Sequence, residues 1–70
     1  LVQGAAALTW HERDCLAGVA RGASSEEIAR QLELSIPTVN DTIEAAMRKL
    51  AATSRGEAVA KALVLDLLEG

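Results

Sequence analysis

Between Ser24 and Leu50 the chain reads SSEEIARQLELSIPTVNDTIEAAMRKL, and this segment restricts the fold more than any other. Ser24 followed three residues later by Glu27 is a capping box. The hydroxyl accepts an N–H of the new helix, and the carboxylate reaches back to the N–H of the capping residue. Ile28, Ala29 and Leu32 then recur at helical spacing, which predicts a short helix over 25–32 with one buried edge. Ser35 opens a second helix, and Pro37 falls in its first turn, where a missing N–H leaves no bond unmade. Val39, Ile43, Ala46, Met47 and Leu50 follow at spacings of four, three, one and three. That pattern predicts a helix over 36–50 whose outward residues are Thr38, Asn40, Asp41, Glu44, Ala45 and Arg48. Only Glu33, Leu34 and Ser35 separate the two helices, so the link is a tight turn with Leu34 pointing inward.

Similar signals flank this segment. Thr9 with Glu12 is another capping box, and Leu8, Cys15, Leu16, Val19 and Ala20 form one apolar stripe of a helix over 10–21. Gly22 supplies the left-handed residue that stops it. Ser54 with Glu57 opens a last helix that runs to Leu68 and is apolar almost all round. One face of it closes the core. A second face, Ala60, Val64, Leu67 and Leu68, is left over and is expected to meet a partner; the alternative is that residues 1–7 wrap it. Trp10 is the only aromatic residue, expected to pack on the linker or the last helix, so the core is filled by Ala, Leu, Val and Ile. The expected fold is all-α: a compact four-helix bundle containing a helix-turn-helix. Residues 1–7 (LVQGAAA), with no initiator Met, read as the end of an interdomain linker, and 8–70 as the single domain of a longer protein.

Several functions are disfavoured by what is present. No segment has the form of a signal peptide, and no apolar run reaches the roughly 18–20 residues that span a bilayer. A single cysteine cannot form an internal disulfide, which points to a reducing cytoplasm. His11 and Cys15 lie four apart, but two ligands without a third are a poor metal site; a surface histidine and a core thiol are expected. No nucleophile–base pair, glycine-rich phosphate loop or cofactor motif is evident. An enzyme, a cofactor and a small-molecule ligand in this domain are not expected.

A short helix crossing onto a longer one through a turn of about three or four residues is the arrangement that lays its second helix in the DNA major groove. Seven basic against ten acidic residues, a net charge of −3, work against a polyanionic partner, so binding would depend on local placement. Asn can pair with adenine at N6 and N7, and Asp or Glu can accept from cytosine N4. Of the outward residues, Asn40, Asp41 and Glu44 carry groups of these types. Phosphate contacts would come from Ser24, Ser25, Thr38, Thr42, Arg48, Lys49 and Arg55, helped by the N-termini of the two helices.

With these elements placed, the chain resembles the LuxR-type helix-turn-helix, the C-terminal domain of many bacterial transcription regulators. The resemblance is carried by Leu8-Thr9, Glu12-Arg13, Leu16, Val19-Ala20, Gly22, Glu27-Ile28-Ala29, Leu32, Ser35, Thr38-Val39, Met47-Arg48-Lys49-Leu50, Ser54-Arg55 and Glu57-Ala58-Val59-Ala60. It implies a domain that dimerises through its last helix and binds double-stranded DNA at a near-palindromic site, with Asn40, Asp41 and Glu44 at the positions that contact bases. The Glu44–Lys49 ending is more similar to the quorum-sensing branch of that family. Relatives commonly carry Lys or Arg at the positions of Asn40 and Glu44, His at that of Thr42 and Gly at that of Glu33. Glu33 is therefore expected to sit in a left-handed conformation at some cost. The acidic outward face leaves an alternative: a protein-interaction module, an antiactivator or heterodimerising domain with weak or no DNA binding.

Overall fold

A computed structural model describes residues 8–64. Among these residues it holds four helices: α1 (Trp10–Ala20), α2 (Ser25–Leu32), α3 (Ile36–Lys49) and α4 (Arg55–Val64). The linker expected over residues 1–7 and the end of the last helix, with Leu67 and Leu68, lie outside the described residues.

Each helix starts where a side chain satisfies its orphan N–H groups. The Thr9–Glu12 and Ser24–Glu27 boxes close in both directions. Ser35 accepts from the Thr38 N–H. At α4 the expected box is shifted by one residue. Ser54 Oγ accepts from the Glu57 N–H, but the Glu57 carboxylate takes the N–H and the hydroxyl of Thr53, at 2.7 and 2.8 Å. Those two bonds, then Lys61, hold the Glu57 carboxyl below its ordinary pKa.

Three helix ends share one device, a residue at positive φ that turns the chain off the axis: Gly22 (84°), Glu33 (59°) and Ala51 (55°). After each, an N–H reaches back to a carbonyl of the last turn, as Ala23 does to Gly18, Leu34 to Ala29 and Ala52 to Met47. Only the first of the three is glycine. α1 consequently ends at Ala20, one residue earlier than its apolar pattern suggests, and Ala20 is exposed rather than part of the buried stripe. A left-handed conformation costs a non-glycine residue roughly 1–2 kcal/mol, partly offset by the larger chain entropy glycine loses on folding. Glu33→Gly is expected to raise stability by about 0.5–1 kcal/mol, read as a higher melting temperature. A lower one would show that Glu33 is not strained there.

The interior has two parts. Leu16, Ala46, Leu50, Ala58 and Ala62 join α1, α3 and α4. Cys15, Ile28, Ala29, Val39 and Ile43 join α1, α2 and α3. Met47 borders both, so α3 is the element on which the two halves meet. Gly18 lets α2 approach α1: a Cβ there would stand 2.7 Å from Ile28 Cγ1 and 2.9 Å from Cδ1. The small residues of this core allow close helices where larger ones would hold them apart. Trp10, by contrast, is exposed, with the Arg13 guanidinium 5.3 Å from its ring centre.

Candidate nucleic-acid interface

The buried face of α3 is Val39, Ile43 and Ala46, and Leu50 continues it just past the helix end. On the opposite side of the helix lie Pro37, Asp41, Glu44 and Arg48, all exposed, at intervals of four, three and four residues. The stripe is therefore acidic in its middle and basic at its end. Cations suit the partial negative charge of a helix C-terminus, which explains the order of these charges without a partner. The Arg48 side chain has no hydrogen-bond or ion-pair partner among the described residues, so its guanidinium is available to phosphate.

Asn40 sits at one edge of this stripe, half-buried, within a closed polar triangle. Its Oδ1 accepts from Ser25 Oγ at 2.8 Å and from Arg55 Nη2 at 2.8 Å, while Arg55 Nη1 donates to Ser25 Oγ at 3.0 Å. The triangle ties the first residue of α2 and the first residue of α4 to α3. The adenine pairing expected of Asn40 needs both ends of its amide, and one end is engaged here.

The other predicted contacts divide by where their protons go. Phosphate oxygens only accept, so a hydroxyl must donate to reach them. Thr42 donates to the Thr38 carbonyl at 2.7 Å, and Ser25 donates to Asn40. Thr38 accepts from Ser35, which leaves its own proton for a partner, and Ser24 uses its oxygen on the Glu27 N–H in the same way. Arg55 spends two of its five donors on the triangle and has three more. Lys49 turns from the stripe to an ion pair with Glu12, Nζ to Oε1 2.9 Å. Glu12 is buried and pairs with the Lys49 ammonium. Burial pushes the Glu12 carboxyl up, but the Lys49 hydrogen bond, the Thr9 N–H and the ammonium charge together outweigh it and hold the pKa below 4.5.

Arg21 is exposed and donates from Nη2 to Gln31 Oε1 at 3.1 Å. Cys15 is fully buried; burial first, then the Asp14 and Glu12 charges, raise its thiol pKa, so it stays protonated. His11 is exposed, and no group of three metal-ligating side chains occurs among the described residues. On α4, Ala60, Leu63 and Val64 are exposed, Val64 at 83%.

Sequence spacing missed the triangle and the Glu12–Lys49 pair. Ser25 and Asn40 are 15 positions apart, Arg55 is 15 beyond Asn40, and Glu12 is 37 from Lys49. A charged residue inside a capping box gave one signal, since Glu12 already had a local role that concealed the second one.

The model of a family described as bacterial regulatory proteins, luxR family (GerE), matches residues 6–62. The "Putative HTH-type transcriptional regulator y4qH" of Sinorhizobium fredii is 43% identical over 97% of this chain and 21% of its own length. The "Transcriptional activator protein SolR" of Ralstonia nicotianae is 38% identical over 94% of this chain and 28% of its own length. A protein of the same name from Ralstonia solanacearum is 38% identical over 90% of this chain and 27% of its own length. The chain thus spans about a fifth to a quarter of the length of the curated relatives it matches.

Proposed function

Because the chain belongs to the luxR family of bacterial regulatory proteins, we propose that it binds double-stranded DNA sequence-specifically in transcription regulation, with α3 in the major groove. The observation that carries this reading is the division of α3 into a fully apolar inner face and a continuous outward stripe on a capped, tightly turned pair of helices. Asn40, Asp41 and Glu44 face the bases, the carboxylates accepting from cytosine N4. Ser24, Thr38, Arg48 and the remaining donors of Arg55 hold the phosphates, with Lys49, Ser25 and Thr42 contributing only as far as their internal bonds release them. Two copies meet through α4, whose Ala60 and Val64 are exposed; Leu67 and Leu68, which the sequence pattern assigns to the same contact, lie outside the described residues. The domain works in the bacterial cytoplasm; its assignment to quorum-sensing regulators rests on the similarity of the Glu44–Lys49 ending alone. No described helix is long and apolar enough to cross a membrane.

Titration of near-palindromic duplexes at several salt concentrations tests this. Log affinity should fall linearly with log salt, at two chains per duplex, and Arg48→Ala should shallow the slope by about one unit while weakening all sequences alike. The acidic stripe favours one other reading, a protein-interaction module. A flat salt response or absent binding would select it.

A further inference from the structure

The triangle of Ser25, Asn40 and Arg55 has a polarity that decides how Asn40 can meet a base. A guanidinium carries five donors and no acceptor. The Asn40 atom 2.8 Å from Arg55 Nη2 is therefore the amide oxygen. Ser25 accepts from Arg55 Nη1, so the Ser25 proton goes to the same oxygen. Both lone-pair sites of that oxygen are filled, and the end of Asn40 left for a partner is Nδ2 with its two donors.

Bases differ in what they offer such a group. In the major groove guanine presents two acceptors, N7 and O6. Adenine presents an acceptor beside a donor, and cytosine only a donor. Resting on the DNA-binding reading above, we propose that Arg55 is a positioning residue that locks Asn40 as a hydrogen-bond donor, so that the base beneath Asn40 is read as guanine rather than adenine. Arg55 then acts twice. Its charge favours every duplex, and its two bonds inside the triangle set preference at one base pair.

Selection from randomised near-palindromic duplexes separates these effects. Asn40→Ala identifies the position by losing preference there alone. Wild type should select guanine at it. Arg55→Met leaves the amide free to rotate, and preference there should move toward adenine by about fivefold or more, while affinity falls for all sequences. Arg55→Lys keeps an obligate donor against Oδ1 and should keep guanine. Ser25→Ala removes one of the two bonds and should shift the preference part of the way; it carries the test if Arg55→Met fails to fold. Wild type selecting adenine there, or Ser25→Ala and Arg55→Met both keeping the wild-type preference, would overturn the lock while leaving DNA binding intact. Wild type binding no duplex at all would overturn the DNA-binding reading, and the lock with it.

Discussion

Replacing Ile43 with alanine should unfold a large fraction of the protein at 25 °C. Ile43 is fully buried between α1, α2 and α3, among Cys15, Ile28, Ala29 and Val39. Removing its outer carbons loses their transfer free energy and leaves a cavity that helices pinned by caps at both ends can only partly close. Such truncations cost about 2–4 kcal/mol. A domain of this size rarely has more than about 3–5 kcal/mol in total, so the loss is comparable with the whole. Ile43→Val deletes a single methyl group and should cost about 0.5–1.5 kcal/mol. The urea midpoints of the two variants, compared with wild type, check the pair. An alanine variant within about 0.5 kcal/mol of wild type, below even the usual valine cost, would place Ile43 outside the packed centre.

Lys49→Met should destabilise the fold before it says anything about DNA. Lys49 is 34% exposed at its side chain, but its partner Glu12 is only 7% exposed. Methionine keeps much of the alkyl stem and removes the ammonium. Glu12 then retains the Thr9 N–H at 2.8 Å but loses its counter-charge in a place with little water. Leaving a buried group under-satisfied costs roughly 1–3 kcal/mol; with Lys49 partly solvated and one bond kept, about 1–2 kcal/mol is expected here. The pH dependence identifies the cause. A carboxyl whose folded pKa is depressed adds stability above its unfolded pKa and loses it as pH falls through the folded value. Wild type should therefore lose stability as the pH drops below about 4.5, the ordinary value for Glu12, and Lys49→Met should lose less over that window. Equal acid slopes in the two proteins would show that the pair contributes nothing. Arg48→Ala is the contrast: it should leave the melt unchanged and alter only the salt dependence of binding.

The helices themselves were legible because their signals are local. Thr9, Ser24 and Ser35 cap what they were expected to cap, and the apolar spacing of α3 selects the residues that are buried. The departures have equally physical causes. Gly22 announces a left-handed helix end, but Ala51 takes the same conformation with no residue-type signal, because the packing of α4 against α3 requires the chain to turn there. Nothing in the sequence marks Gly18 as the position of α1 where a Cβ would collide with Ile28 of α2. Thr53 takes the Glu57 carboxylate that the capping pattern assigns to Ser54, since both lie within one turn of it.

For the candidate site, residue order determined which side chains share the outward stripe of α3, because 3.6 residues per turn leave no choice about that. It did not determine what those side chains are doing. Asn40 and Lys49 are both outward or marginal by period, yet one is held by the first residues of α2 and α4 and the other by α1. Periodicity describes one helix, whereas a hydrogen-bond partner is set by where a second helix ends. Only the packed arrangement of all four decided that.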